Sequence, residues 1–357
     1  MQIAVVGVGL IGGSIGLASR ERLEEAHVSA YDVRARALEL ALDRGAIDRG
    51  CASVADAVEG AEAVFVAAPV GSLPDVVGEV LTAAAEDCVV TDVGSTKRSV
   101  VAAHDDPRFV GGHPLAGAET SGVEHARGDL FEGAAWYLTP TERTSGMLYE
   151  RLHRILFAFG AQPAAIEAET HDAILAAVSH LPHVLANVLV SQAAGALSAG
   201  DERLPATGPS FRDATRVAGA SSAIWTDIYL SNRDALVSRL DETIARLTAV
   251  RGALEAGDAQ AITEWNEGAA ADRRRLLEGQ LAGGIVVELR ASVPNRPGVV
   301  AQLALELGRA GVNIVDMALY PAADMREGVI ALWIAGEETA ARAERIVAEL
   351  GFPVARA

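Results

Sequence analysis

Four short apolar runs near the N-terminus, Ile3–Val6, Val28–Tyr31, Ala63–Ala67 and Cys88–Asp92, alternate with stretches of helical spacing. Near-continuous apolar strands separated by helices predict a parallel sheet buried on both faces, because the crossover helices cover both sides. Further strands are expected at Phe109–Gly111, Ala135–Leu138 and near Gln162–Ile166, closing a first domain at residue 166. From Ala168 to Gly279 strand signals vanish, and one interruption falls at Asp201–Ser210. Leu236, Leu240, Ile244 and Leu247 form a stripe at helical spacing that needs burial, plausibly against a second subunit. After Gly283-Gly284 the pattern reads strand (Ile285–Ala291), helix (Gly298–Ala310), strands (Val312–Tyr320 and Gly328–Ala335), helix (Glu337–Leu350) and strand (Phe352–Ala355). Val300, Leu303 and Leu307 should be the buried face of that first helix. The expected class is α/β: a doubly wound parallel sheet over 1–166, an all-helical domain over 167–280 and a small βαββαβ domain over 284–357.

The first strand runs into Gly7-Val-Gly9-Leu10-Ile11-Gly12. Glycines there permit a tight turn, close approach of backbone to a pyrophosphate and close helix packing, and the following helix N-terminus attracts the phosphates. Asp32 ends the next strand twenty residues after Gly12, where a carboxylate can bond a ribose hydroxyl and repel a 2′-phosphate. A Rossmann-like fold binding NAD rather than NADP follows. Arg34 and Arg36 could approach such a phosphate, although two arginines at the start of a helix with acidic neighbours are more often surface residues.

The chain has 357 residues, 50% of them hydrophobic, and a net charge of −18. That charge, with no basic stripe, argues against nucleic acid as a partner. An anionic substrate would need a local cluster of cations against the general field. No apolar run near the length of a membrane span is evident, nor a secretory leader, so a cytoplasmic enzyme without membrane contact is expected. Cys51 and Cys88 fit neither a disulfide framework nor a zinc site, and no metal is expected.

Ligands of such sheets bind beyond the carboxyl ends of the strands, which points to Ser95 and to His113 in Gly111-Gly-His-Pro-Leu-Ala-Gly-Ala-Glu119. A neutral imidazole can take a hydroxyl proton while a cofactor takes hydride from the same carbon, and Ser95 can hold the ring. Ser179, His183 and Asn187 stand four apart on one helix face, with His180 offset. Pro182 should kink that helix. Arg212 and Arg216 in Phe211-Arg-Asp-Ala-Thr-Arg216 can clamp a carboxylate.

The glycine fingerprint, Asp92-Val-Gly-Ser-Thr-Lys97, Gly111-Gly-His-Pro-Leu-Ala-Gly117 with Glu119, Ser179-His-Leu-Pro-His183, and Asp213-Ala-Thr-Arg-Val-Ala218 followed by Trp225 occur in this order. Together, over about residues 1–280, they resemble the prephenate dehydrogenase family. Val293-Pro-Asn-Arg-Pro-Gly298 through Gly311-Val-Asn-Ile314 resembles an ACT domain, a small amino-acid-sensing module. The resemblance implies NAD-dependent oxidative decarboxylation of prephenate to 4-hydroxyphenylpyruvate in tyrosine biosynthesis. It implies His113 as the base, Ser95 beside it and the nicotinamide, and Arg216 on a substrate carboxylate. His183, Ser179 and Trp225 would line the pocket, with Glu119 as a gate or polar partner; Ala118 departs from the family's usual small polar residue. It also implies a homodimer with amino-acid feedback, although Asn295 replaces the commoner Asp of the ACT motif.

Three alternatives stay open on sequence. Arogenate dehydrogenase differs only in its substrate's amino group. A β-hydroxyacid dehydrogenase shares the architecture but uses a helix lysine that is missing here, and a dinucleotide-binding sensor would not need Ser95, His113 and Arg216 together.

Overall fold

A computed structural model describes residues 1–117, 120–197, 207–279, 286–294, 299–312, 314–322 and 326–357. Glu119, Ala118, Asp201–Ala206, Ile285, Asn295–Gly298 and Asn313, all of which figure in the sequence expectations, lie outside the described residues. The chain divides into two compact units, Met1–Ile244 and Ala245–Ala357.

In the first unit, eight strands order as β3-β2-β1-β4-β5-β6-β7-β8. They are β1 (Gln2–Val6), β2 (His27–Tyr31), β3 (Arg49–Gly50), β4 (Ala63–Val66), β5 (Val89–Asp92), β6 (Phe109–Pro114), β7 (Ala135–Thr139) and β8 (Gln162–Ala165). Helices α1 (Leu10–Arg22), α2 (Ala35–Asp43), α3 (Val54–Val58), α4 (Leu73–Ala83), α5 (Arg98–Ala103) and α6 (Gly146–Ala158) cover both faces. Successive residues of one strand feed opposite cores, which is why the strands read as unbroken apolar runs. Ile3 and Val5 pack with Ile15, Phe65, Trp136, Leu152 and Phe159 on one face, and Ala4 and Val6 pack with Val64, Leu73, Val77 and Val80 on the other.

Three features differ from the sequence expectation. The sheet is mixed, because β7 runs antiparallel to β6 while β8 is parallel to β7. Strand β6 continues to Pro114, paired through His113 to Tyr137, so His113 sits within a strand and not after one. The two-residue β3 gave no periodic signal.

Helices α7 (Ala168–Leu175), α8 (Leu181–Leu197), α9 (Pro209–Thr215), α10 (Ser222–Ser231), α11 (Arg233–Ala256) and α12 (Ala259–Gly279) follow, with no strand among the described residues. Between α7 and α8 lies a π-helical turn, Ala176–His180, closed by Leu181 N–H donating to the Ala176 carbonyl. This wide turn is how the helix accommodates Pro182, whose ring would clash with the carbonyl four residues back. Counted through that turn, Ala168–Gly195 is, by length and composition alone, long and apolar enough to cross a membrane, which differs from the expectation that no such stretch exists. It carries the buried polar residues His171, Asp172 and His180, and a carboxylate at that depth would be costly in lipid.

In the leucine stripe only Leu236 is buried, while Ile244 and Leu247 are exposed. The second unit holds a four-stranded antiparallel sheet, β10-β11-β9-β12, from β9 (Val286–Pro294), β10 (Ile314–Pro321), β11 (Glu327–Ala335) and β12 (Val354–Arg356). Helices α13 (Val299–Arg309) and α14 (Glu337–Glu349) complete the expected βαββαβ order. Leu289, Ala291, Ile330 and Leu332 pack under Val299, Leu303, Leu307 and Val347. The Val300 side chain lies outside the described residues.

Candidate active site

The glycine loop is shaped by contact as well as by turn geometry. Gly7 has φ of +96°, and a Cβ there would lie 2.4 Å from the Ala67 carbonyl oxygen; at Gly12 it would lie 2.0 Å from the Gly7 carbonyl oxygen. At Gly9, by contrast, a Cβ would meet nothing within 4 Å, so open space faces the N-terminus of α1, which begins at Leu10 with Ile11 behind it. That open cradle suits a pyrophosphate. Asp32 is buried at the end of β2 and accepts from Val8 N–H at 2.7 Å and Arg34 N–H at 2.8 Å. The Arg34 guanidinium also folds onto it, with Nε at 3.2 Å, whereas Arg36 pairs with Glu39 on the surface.

Beyond β5 a buried ion pair organises the next loop. Lys97 and Asp92 are both fully buried and in contact; burial pulls the ammonium pKa down, and Asp92 and then Asp172 oppose that shift. Asp92 also accepts from Gly94 N–H at 2.8 Å and Gly112 N–H at 3.1 Å, tying the loop to β6. A Cβ on Gly112 would stand 2.6 Å from the Asp92 carbonyl oxygen, so the glycine before His113 is needed for strand contact.

His113 is held from behind. Its Nδ1 lies 2.9 Å from Nε2 of His171, and Nδ1 of His171 lies 2.8 Å from Oδ1 of Asp172. A carboxylate can only accept, so the proton of the His171–Asp172 bond sits on His171 Nδ1. Where His171 carries that one proton, its Nε2 is a lone pair and His113 donates to it from Nδ1. His113 Nε2 therefore carries no proton and is the basic nitrogen. Burial first, then the charges of His171, Lys97 and His180, holds the His113 pKa well below 6.5, so the ring is neutral at pH 7.

Asp172 is 1% exposed and accepts four hydrogen bonds: from His171, from Lys97 N–H at 2.8 Å, and from Arg98 N–H at 3.0 Å and Nε at 3.3 Å. Burial raises its pKa, but the bonds from His171 and the N–H groups of Arg98 and Lys97 outweigh that, and the carboxyl stays below its usual range. Helix α7 thus docks its acid onto the N-terminus of α5. The π turn next places His180 in the interior, 1% exposed, with Nδ1 3.2 Å from the Asn232 side-chain nitrogen. Trp225 of α10 packs edge-on to His180 at 6.1 Å and stacks on His183 at 3.5 Å between ring centroids. Burial and then the charge of Arg216 lower the His183 pKa, which places that guanidinium within electrostatic reach of the ring.

Comparison with known proteins agrees with this layout. Residues 15–164 match the family model described as "Prephenate dehydrogenase, nucleotide-binding domain", and residues 167–267 match "Prephenate dehydrogenase, dimerization domain". A prephenate dehydrogenase of Bacillus subtilis is 32% identical over 355 residues, covering 97% of this chain and 95% of that one. The chain belongs to the prephenate dehydrogenase family. A cyclohexadienyl dehydrogenase of Zymomonas mobilis is 35% identical over 274 residues, covering 74% of this chain and 92% of its own. The crystal structure of prephenate dehydrogenase from Aquifex aeolicus with hydroxyphenyl propionate and NAD+ superposes with a TM-score of 0.71 at 28% identity, over 77% of this chain and 98% of that one. As a member of this family the chain is an NAD-dependent oxidoreductase.

Within the family frame, the structure brings His113, His183 and Trp225 together around His180: the charge of His180 bears on His113, that of His183 bears on His180, and Trp225 packs against both His180 and His183. Ser179 is half-buried in the π turn, and Ser95 is half-buried on the loop after β5. The His113 ring is held by His171 and not by the expected Ser95. Arg212 is exposed and donates to the Thr207 carbonyl at 3.4 Å, apart from the cluster. Residues that sequence reasoning passed over are His171, Asp172, Arg98 and Asn232, while His180 and Lys97 were named within their motifs but given no role. The adjacent His171-Asp172 at the head of the apolar run Ala173–Val178 was the available signal.

Proposed function

We propose that the enzyme oxidises and decarboxylates prephenate to 4-hydroxyphenylpyruvate, a step of tyrosine biosynthesis, with His113 as the proton acceptor. The observation that carries this is the chain Asp172–His171–His113, which leaves His113 Nε2 bare at the strand end where the nicotinamide half of a dinucleotide belongs. Gly7, Gly9, Leu10, Ile11, Gly12 and Asp32 would hold NAD, which when bound supplies the hydride acceptor. His113 takes the proton of the ring hydroxyl as hydride leaves the same carbon, forming the C=O bond. The bond from the para carbon to its carboxylate then breaks, its electron pair enters the ring, and carbon dioxide departs. The ring becomes aromatic, and its phenolate oxygen recovers the proton from His113, so no net proton is released. Ser95 supports substrate and nicotinamide, and Arg216 meets a substrate carboxylate beside His183, Ser179 and Trp225. Glu119 is assigned on resemblance alone, and Arg212 only on its place in the Phe211–Arg216 segment.

Replacement of His113 by Asn tests this: turnover of prephenate should fall by about 10²–10⁴ while NAD binding holds. Unchanged turnover would refute the role. Rates on arogenate set against prephenate fix the substrate preference.

We further infer a homodimer formed through the helical region, supported by its exposed apolar residues Val188, Leu189, Val190, Leu230 and Val237. A cytoplasmic location fits an enzyme that draws on the soluble NAD pool. An amino-acid effector at the ACT-like unit fits its βαββαβ order and a cavity of about 630 Å³ lined by Arg290, Ser292, Tyr320, Val329 and Pro353. Calorimetry with tyrosine, phenylalanine and tryptophan tests that role, and no heat with any of them would reject it.

A further inference from the structure

Within the cluster one buried polar atom lacks a partner: Nε2 of His180. Its protonation follows from the bonds around Asn232. The Asn232 side-chain oxygen accepts from Arg98 at 3.1 Å, and its nitrogen donates to the Asp172 carbonyl at 2.7 Å. A guanidinium cannot accept and a carbonyl cannot donate, so the amide orientation is fixed from both ends. The second amide proton then points to His180 Nδ1 at 3.2 Å, and Nδ1 is the acceptor. A neutral His180 must carry its proton on Nε2. Burial pushes its pKa down to about 4, so the neutral ring persists through the working pH range.

The two imidazoles therefore stand in opposite tautomers. His113 offers a lone pair at Nε2, and His180 offers an N–H. A sealed, unmatched donor is costly to keep, and a structure retains one where a ligand completes it. The surroundings narrow that ligand. His180 lies within electrostatic reach of His113 on one side and of His183 on the other, and His183 feels Arg216 in turn. Trp225, half-buried, packs edge-on against His180 and stacks on His183.

We propose that His180 is a further substrate-binding residue, donating Nε2–H to a carboxylate or keto oxygen of the substrate while His113 works on its hydroxyl. This rests on the function proposed above. It adds a neutral donor to a site that must hold a dianion within a protein of net charge −18.

Two substitutions separate the ring's two nitrogens. In His180→Asn the amide oxygen can still accept from Asn232, but the donor at the Nε2 position is gone. In His180→Gln a side-chain N–H can reach the Nε2 position. The expected result is a KM for prephenate raised at least about tenfold in His180→Asn, with the KM for NAD and the melting temperature close to the parent's, and substantial recovery in His180→Gln. Nitrogen-15 spectra of histidine-labelled full-length protein should show His180 protonated at Nε2 and His113 at Nδ1. A prephenate KM unchanged in His180→Asn would mean that a buried water satisfies the donor, and would overturn the proposal. So would a His180 protonated at Nδ1. A parent enzyme inert with prephenate would overturn the proposed function and this inference together, whereas a fully active parent with an indifferent His180→Asn variant overturns the inference alone.

Discussion

Asp172→Asn is the most discriminating change, because it alters one atom and keeps the shape. The carboxylate's two oxygens are fully committed, Oδ1 to His171 Nδ1 and Lys97 N–H, and Oδ2 to the N–H and Nε of Arg98. An amide supplies one oxygen and one NH2 group. If the NH2 faces Arg98, it meets two donors, one of them a cation that cannot accept, so the amide turns its NH2 toward His171, where only Lys97 N–H opposes it and the ring can change tautomer. In that orientation the His171 ring must accept at Nδ1 and carry its proton on Nε2; His113 then accepts at Nδ1 and holds its own proton on Nε2, where it can no longer act as a base. Either outcome removes hydrogen bonds to a charged group, each worth about 1.5–3 kcal/mol, although relief of a buried charge offsets part of that loss. The catalytic effect is set by the tautomer and not by stability. A wrongly protonated base forfeits the general-base contribution, so kcat should fall by about 10²–10⁴, or roughly 3–5 kcal/mol in the barrier. The assay is NADH formation at saturating NAD and prephenate, with NAD binding and melting temperature measured on the same preparation. A kcat within about threefold of the parent in a folded, NAD-binding variant would refute the relay.

Because His113 acts unprotonated and its pKa lies well below 6.5, kcat/KM should stay level from neutral pH downward and fall only in more acid solution; an acid limb centred at or above 6.5 in the parent would contradict the burial argument. His180 binds a proton with a pKa near 6.5 when unfolded and about 4 when folded, so the unfolded state holds more protons between those values. Stability should be complete above 6.5 and decline by up to about 3 kcal/mol as pH falls toward 4, a slope that denaturant titrations should find reduced in His180→Asn. Asp32→Ser removes the charge that repels a 2′-phosphate and releases Arg34 to meet one, so NAD efficiency should drop about 10–100-fold while NADP becomes usable; retained strict NAD preference in kinetics would contradict it. In Gly112→Ala the added methyl would lie 2.6 Å from a backbone oxygen that cannot swing away, so thermal melting should reveal a loss of about 1–3 kcal/mol.

What the sequence disclosed was what periodicity and short-range geometry control. The two-sided burial of β1, β2, β4 and β5, the all-helical stretch and the final βαββαβ order follow from runs of apolar residues, and the glycine loop with Asp32 follows from spacing. The reversal at β7 escaped because strand direction leaves no mark in an apolar run. His113 was visible by its setting, but its partner was not, since His171 lies 58 residues away and is brought near only by packing. Ser95 was the natural guess because it follows β5 at the same carboxyl edge of the sheet. The face assignment of Ser179, His183 and Asn187 assumed 3.6 residues per turn throughout. The π turn inserts one residue into that register, and so His180, which regular spacing set aside, is the most buried member of the group.

Asp172 gives these pieces a common origin. Its carboxylate fixes the proton of His171 and through it the lone pair of His113, and it fastens helix α7 to the first N–H groups of the Lys97–Arg98 segment. Its backbone carbonyl accepts from Asn232, and Arg98, which bonds the same carboxylate, also holds the Asn232 oxygen that orients His180. Acceptor and donor are thus set from opposite ends of one residue. A substrate that presents a hydroxyl at one end and anionic oxygens at the other needs this polarity, and two histidines free to choose their tautomers would supply it only part of the time. The buried acid therefore works as the device that holds two neutral rings in different states, and its removal should be felt at both His113 and His180.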